Sequence, residues 1–143
     1  MKLTVVLPVF NEEKSIELVI KEWVHALQLE VPDQFRLLVI DDGATDATTE
    51  ILKRLECEVS NLIHLRKENS GHGDSCLMGY RKAIELKTDW VLQVDSDYQC
   101  DPIHFKEFWT ATKDSKVIMG RRVKRLDGLY LSLIHISEPT RRR

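Results

Sequence analysis

Cysteine is scarce in this chain of 143 residues. Cys57, Cys76 and Cys100 are odd in number and far apart, so they form neither a disulfide framework nor a CxxC metal site. We therefore expect reduced thiols, as in the cytosol. With 43% hydrophobic and 31% charged residues, the chain is typical of one globular domain rather than of a disordered segment.

Two further absences limit the function. No window approaches the roughly 18 consecutive apolar residues of a membrane span. The apolar N-terminal run turns acidic without a small-residue cleavage site, so we expect neither a signal peptide nor a transmembrane helix. A net charge of -2 gives no reason to expect a nucleic-acid partner. As given, the chain is expected to be cytoplasmic.

What is present is an alternation of two hydrophobic patterns. Short β-branched apolar runs predict buried strands at residues 3–9, 36–41, 61–65, 90–95 and 116–120. Apolar residues at helical spacing lie between the runs and predict the inner faces of three helices. These positions are Ile16, Val19, Ile20, Trp23 and Leu27, then Ile51, Leu52 and Leu55, then Leu77, Tyr80 and Ile84. The order predicts an α/β fold with an open, doubly wound, mostly parallel sheet.

Capping signals agree with that order. We expect Asn11 to cap the first helix, Asp46 the second and Asp101 the fourth, where Pro102 takes the first helical position. Every unusual polar cluster follows a predicted strand: PVFNEE, DDGATD, KENSGHGDS, DSDYQCD and GRRVKR. Since ligands of open α/β sheets bind beyond the carboxyl ends of the strands, these clusters predict a binding site at that edge.

Two of the clusters carry paired acids. Asp41 and Asp42 end a buried strand, where a carboxylate can accept hydrogen bonds from the N–H edge of a nucleobase. Asp95 and Asp97 end another strand, and alternation turns both toward one hard cation, with Gln99 adding a third oxygen. Mg²⁺ or Mn²⁺ suits such ligands, and a solvated acidic loop is the alternative.

The glycine-flanked turn around His72 and the basic run after residue 120 have two interpretations each. The turn fails the dinucleotide fingerprint but suits close approach of a phosphate or sugar, and His72 is either a ligand contact or an ordinary loop histidine. The basic run is either a solvated surface or a partner for a departing pyrophosphate.

Taken together, LPVFNEE, VIDDGATD, NSGHGDSCLMGYRKA, DSDYQCDP and GRRVKRLDG make the chain resemble family 2 glycosyltransferases of the GT-A fold. The resemblance is to the branch similar to dolichol-phosphate mannose synthases and polyprenyl-phosphate glycosyltransferases. It implies an inverting, metal-dependent transfer of sugar from a nucleoside diphosphate sugar donor to a lipid phosphate or another acceptor. Residues 1–130 would then be a Rossmann-like GT-A nucleotide-sugar-binding half.

The same resemblance implies roles by position. Pro8, Phe10 and Glu12 would line the nucleoside pocket, and Asp42 or its neighbour Asp41 would hold the base. The remaining donor and metal residues would be Asp95, Ser96, Asp97, Gln99 and Arg122. Of these, Asp95, Asp97 and Gln99 are the expected metal ligands, Ser96 would lie along the nucleotide, and Arg122 would reach the donor phosphates.

The tail LSLIHISEPTRRR, residues 131–143, fits none of the preceding patterns and resembles translated adapter sequence. We expect it to be foreign and the natural protein to continue with an acceptor side, a general base and membrane-associating helices at the cytoplasmic face. On that interpretation we expect the present chain to bind donor with little or no sugar transfer.

Two other classes have related patterns. A phospho-acceptor receiver would carry its acid pair after the first strand and a lysine after the fifth, whereas here PVFNEE follows the first strand and arginines the fifth. A nucleotidyltransferase would carry a glycine-rich basic loop after the first strand, which this chain lacks.

Overall fold

The computed structural model describes residues 1–32, 34–97 and 100–120. Its elements are β1 (Leu3–Val9), α1 (Ile16–Glu30), β2 (Phe35–Asp41), α2 (Thr48–Glu58), β3 (Leu62–Arg66), α3 (His72–Glu85), β4 (Trp90–Gln93), a 3-10 turn (Pro102–His104) and α4 (Phe105–Ala111). The chain divides into two units, Met1–Thr110 and Ala111–Arg143. The sheet and the described residues of the candidate site belong to the first unit.

The four strands form one parallel sheet in the order β3-β2-β1-β4. The chain builds outward from β1 to β3 and then returns to place β4 on the other side of β1. The predicted α/β fold with a parallel sheet is confirmed. The order reverses between β1 and β4, so the ends of these two strands flank the position where such sheets bind ligands.

Continuous apolar runs form the centre of the sheet because both of its faces are covered. Every residue of β1 is buried. Val5 and Leu7 join the core on the α1 side, whereas Val6 packs with Leu38 and Ile40 on the other face. All five predicted inner positions of α1 are buried.

The structure corrects the predicted fifth strand. Residues 116–120 have no regular secondary structure, and Val117 and Met119 are 79% and 88% exposed. A β-branched run becomes a strand only where its backbone N–H and C=O groups pair with a neighbouring strand. Hydrophobic pattern alone does not supply that partner, so this prediction was wrong.

The predicted inner face of α3 was also wrong, although the helix itself is present. Leu77, Tyr80 and Ile84 are 44%, 36% and 74% exposed. The buried face instead carries small residues, namely Ser75, Cys76, Gly79 and Ala83. A Cβ at Gly79 would overlap the side chain of Val6, so α3 lies too close to β1 for large residues.

One of the three predicted caps is confirmed, because the Asp101 carboxylate accepts a hydrogen bond from the backbone N of Ile103 at 2.9 Å. Asp46 accepts one from the backbone N of Thr48 at 3.0 Å but precedes the N-cap position of α2, which Ala47 occupies, so this prediction was wrong. Asn11 does not cap α1, which begins five residues later at Ile16. In the part of the chain that the structure describes, no helix has the length and apolarity of a membrane span.

Candidate functional site

The strand ends at the carboxyl edge continue into loops that are tied together by backbone hydrogen bonds. The N–H of Asp42 donates to the carbonyl of Val9 at 2.9 Å, and that of Lys67 donates to Asp41 at 3.0 Å. On the other side of β1, Val94 donates to the carbonyl of Val6 at 3.1 Å. The segments after all four strands therefore lie along one edge of the sheet.

The loop after β1 is fixed to the segment after β2 by several side-chain hydrogen bonds. Asn11 has a positive φ of 53°, and its Oδ1 accepts from the backbone N of Thr45 at 2.8 Å. The backbone N of Glu12 donates to Thr48 Oγ1 at 2.8 Å, and Glu13 accepts from Ala47 at 3.0 Å. Asn11 thus joins two loops instead of capping a helix.

The residues expected in the nucleoside pocket lie on this first loop or at the end of β1. Pro8 is buried in β1 opposite Ile40, and Glu12 is partly buried. Phe10 is 46% exposed and follows directly on Val9, whose carbonyl binds Asp42. An exposed aromatic residue therefore directly follows the strand end whose backbone is bonded to Asp42.

Asp41 is fully buried and stabilises the loop that follows it. Its carboxylate accepts from the backbone N of Ala44 at 2.8 Å and from Thr49 Oγ1 at 2.6 Å. His64 Nε2 lies 3.4 Å from the same carboxylate. With 0% exposure, the side chain of Asp41 has no surface from which to contact a ligand.

Asp42 faces the loop that leads from β3 to α3. Its Oδ1 accepts from Lys67 Nζ and from the backbone N of Ser70 at 2.9 Å, and its Oδ2 accepts from the backbone N of Gly71 at 2.9 Å. Burial is the largest influence and works to raise the pKa of Asp42, but the Lys67 and backbone hydrogen bonds outweigh it and lower that pKa. Asp42 is therefore a carboxylate at neutral pH.

His72 begins α3 and lies near the second acid pair. Its Nε2 is 3.8 Å from Asp95 Oδ1 and 3.5 Å from Cys76 Sγ. Burial, and after it the charge of Asp95, raise the pKa of the Cys76 thiol, so Cys76 is not poised as a thiolate nucleophile. The side chains of His72 and Asp95 are 61% and 43% exposed and are accessible to a ligand.

The residues Asp95, Ser96 and Asp97 follow β4 in succession, with Asp95 partly exposed, Ser96 buried and Asp97 exposed. Within the described ranges, no three His, Cys, Asp or Glu side chains cluster closely enough to hold a metal by themselves. Mg²⁺ commonly binds one or two carboxylates together with substrate phosphates, so the two acids suit that arrangement. Gln99 and Arg122 lie outside the described residues.

A cavity of about 460 Å³ lies between α1 and the turn at Pro102–His104. Its lining includes Trp23, Cys100 and Phe105 from this region and Asp95 from the strand edge. Asp95 is the single described member of the predicted site that lines it, so the cavity is adjacent to that site rather than part of it.

Lys67 and Ser70 are site residues that the sequence analysis did not single out. Lys67 Nζ donates to Asp42 and to Ser70 Oγ, and Ser70 Oγ donates to Asp74 at 2.8 Å. Their one sequence signal was membership of the polar cluster after β3. Which member of that cluster reaches Asp42 depends on the path of the loop.

The model of glycosyl transferase family 2 matches residues 4–141, and the chain belongs to that family. The matched range extends into the segment 131–143, whose foreign origin stays a prediction. The chain is 28% identical over 132 residues to an undecaprenyl-phosphate 4-deoxy-4-formamido-L-arabinose transferase of Photorhabdus laumondii, covering 90% of this chain and 39% of the relative. It is 28% identical over 137 residues to a dodecaprenyl-phosphate galacturonate synthase of Rhizobium johnstonii, covering 94% and 40%. The chain thus spans about two fifths of these relatives.

Solved structures agree with the fold. TarS residues 1–349 of S. aureus, in complex with UDP-GlcNAc, superimposes with a TM-score of 0.66 at 26% identity, covering 87% of this chain and 37% of that one. A mannosyltransferase of Pyrobaculum calidifontis, in complex with GDP-Man and Mn²⁺, superimposes with a TM-score of 0.59 at 23% identity, covering 67% and 27%. The receiver and nucleotidyltransferase alternatives are not supported by these matches.

Proposed function

We propose that this chain is the donor-binding part of an inverting glycosyltransferase that moves a sugar from a nucleoside diphosphate to a lipid phosphate. One observation carries the proposal. The start of α3 connects the two acid pairs, because the N–H of Gly71 binds Asp42 and the ring of the next residue, His72, lies against Asp95. A nucleotide with its base at Asp42 and its phosphates near Asp95 would follow this edge.

In this proposal the residues after β1 and β2 hold the nucleoside. Asp42 accepts an N–H of the base, and the exposed ring of Phe10 offers an apolar face beside it. Pro8 and Glu12 complete that side of the pocket. Asp41 is fully buried and supports the loop, so Asp42 is the better candidate for contact with the base.

Asp95 and Asp97 would hold Mg²⁺ or Mn²⁺ together with the donor phosphates. The metal would act as a Lewis acid that stabilises the diphosphate as it departs. Ser96 lies between the two acids and would run along the nucleotide, while His72 would contact the donor near its phosphates. Arg122 would add positive charge there and remains a prediction for a residue outside the described ranges.

The acceptor is proposed from the relatives, two of which are named for undecaprenyl and dodecaprenyl phosphate. Such an acceptor would bring the reaction to a membrane surface, and we propose the cytoplasmic face because nucleotide sugars are soluble substrates. The general base is not assigned to any described residue.

Calorimetry of nucleoside diphosphate binding with and without Mn²⁺ tests this function. Asp97→Ala should abolish the Mn²⁺-dependent part of the affinity, because one of two metal carboxylates is lost. Asp114→Ala removes an exposed carboxylate outside the strand-end clusters and should leave that part unchanged. Affinity that does not depend on Mn²⁺, or that survives Asp97→Ala in full, would contradict the metal assignment.

A further inference from the structure

We propose that Lys67 is a positioning residue that makes the site selective for uracil, because it leaves the Asp42 carboxylate with one acceptor position for the base. The inference rests on the proposed function and adds to it the identity of the nucleobase and a residue that determines it.

The first step is a count of hydrogen bonds at Asp42. An ionised carboxylate offers about four acceptor positions, two on each oxygen. Among the described residues, three donors use them: Lys67 Nζ and the N–H of Ser70 on Oδ1, and the N–H of Gly71 on Oδ2. These donors leave one position on Oδ2 for a ligand, and the side chain of Asp42 is 6% exposed, unlike that of Asp41.

The second step compares this single position with the edges of the bases. Uracil presents one N–H, at N3, between two carbonyl groups, and so matches one acceptor. Guanine presents two donors side by side, N1–H and the N2 amino group, and pairs best with both oxygens of a carboxylate. At Asp42 one of these donors would stay unpaired in a largely buried site, which is unfavourable. Cytosine and adenine present an amino group next to a ring nitrogen, whose lone pair would lie against the same carboxylate.

The third step concerns what holds Lys67 in place. Its Nζ donates to Asp42 and Ser70 Oγ and to the carbonyl of Glu68 at 3.2 Å, and its side chain is 15% exposed. The three donors of an ammonium group are therefore directed to three partners within the described chain. Removing this group would free a position on Oδ1, so that Asp42 could accept from two neighbouring donors. Loss of Lys67 should then favour guanine relative to uracil.

The test is calorimetry of the 143-residue chain with UDP, GDP, CDP and ADP in the presence of Mn²⁺. We expect the unmodified chain to bind UDP at least about tenfold more tightly than GDP, because one of the two donors of guanine would stay unpaired in the buried site. Lys67→Met should reduce this UDP-to-GDP preference by about tenfold. A purely structural defect would weaken both nucleotides alike and leave the preference unchanged.

Two further variants support the comparison. Lys82→Met makes the same chemical change at a lysine that pairs with Glu85 on the surface of α3, and it should leave the preference as it was. Ser70→Ala removes one partner of Lys67 but keeps the backbone N–H on Asp42, so it should reduce the preference by less than Lys67→Met does. If Lys67→Met does not fold, the role of Lys67 is tested by comparing the UDP-to-GDP preference of Ser70→Ala with that of the unmodified chain.

Three results would overturn the inference. GDP, CDP or ADP binding as tightly as UDP to the unmodified chain would exclude selection of uracil. A preference for UDP that persists in folded Lys67→Met, or in Ser70→Ala if the former does not fold, would exclude the role of Lys67. Failure to bind any of the four nucleotides would overturn the proposed function, and this inference with it.

Discussion

Asp41 and Asp42 are neighbours in sequence and have different environments in the structure. Successive residues of an extended strand point to opposite faces, so Asp41 at the end of β2 faces the interior, where it binds Ala44 and Thr49. Asp42 faces the loop before α3 and binds Gly71. One acid supports the loop, and the other lies where a ligand can reach it.

Replacing each acid by its amide should therefore have different effects. Asp42→Asn introduces donors where Lys67 and Gly71 already donate, and it should weaken binding of the preferred nucleotide by about 1 to 3 kcal/mol. Asp41→Asn should lower the free energy of unfolding, with a smaller effect on affinity. Calorimetry and urea denaturation measure the two quantities. Normal binding by Asp42→Asn together with impaired binding by folded Asp41→Asn would show that Asp41 holds the base.

Asp42 should also contribute to the pH dependence of stability. Its pKa in the folded chain is lowered from the ordinary value of 3.8, so its ionised form stabilises the fold above that pH. This contribution is lost as the pH falls below 3.8 and through the folded-state pKa. Urea denaturation of the unmodified chain and of Asp42→Asn should thus show a stability difference at neutral pH that shrinks in acid. A stability difference that does not depend on pH would contradict the lowered pKa of Asp42.

At the scale of elements, the close contact between α3 and β1 depends on the lack of a side chain at Gly79. Gly79→Ala places a Cβ against Val6 and should lower the free energy of unfolding by about 1 to 3 kcal/mol. Gly73→Ala lies in the same helix with nothing within 4 Å of the new Cβ, and it should be neutral or raise that free energy by up to about 1 kcal/mol. Equal effects of the two variants in urea denaturation would contradict the close packing.

At the scale of the whole molecule, donor binding and sugar transfer make different demands. The proposed donor contacts lie between Pro8 and Arg122, whereas the chain spans only 39% of the Photorhabdus relative. Chemistry needs donor and acceptor oriented together, a contribution that can reach about 7 to 11 kcal/mol. We expect the 143-residue chain to bind donor and to transfer little or no sugar.

An assay of the purified chain for transfer to polyprenyl phosphate, and for hydrolysis of the donor, tests this expectation. Asp97→Ala is the control, because metal-dependent activity from a contaminating enzyme would persist in that variant. Multiple turnovers of sugar transfer to polyprenyl phosphate that depend on Mn²⁺ and disappear in Asp97→Ala would contradict the prediction. They would show that the chain carries a complete acceptor side.

Hydrophobic pattern was sufficient to predict the order of the elements from β1 to α4, the four strands of the sheet, and the face by which α1 packs, but it also predicted a fifth strand that the structure lacks at residues 116–120. Ile16, Val19, Ile20, Trp23 and Leu27 are buried as expected, because large apolar residues at helical spacing leave one way to cover the sheet. The same pattern failed for α3, where a glycine at the contact brought the helix too close to β1 for Leu77 or Ile84 to fit. The hydrophobic periodicity of a helix does not specify how closely that helix packs against the sheet.

The sequence by itself determined that polar clusters end successive strands, and parallel pairing brings such ends to one edge wherever the chain folds this way. Only the tertiary structure decided that Asp41 is buried, that Asn11 joins two loops, and that Lys67 lies on Asp42. The physical reason is how far apart in sequence the interacting residues lie. Strand and helix patterns arise from neighbours a few residues apart, whereas Lys67 and Asp42 are separated by 25 positions. Their contact depends on the register of β2 against β3 and on the path of the loop before α3.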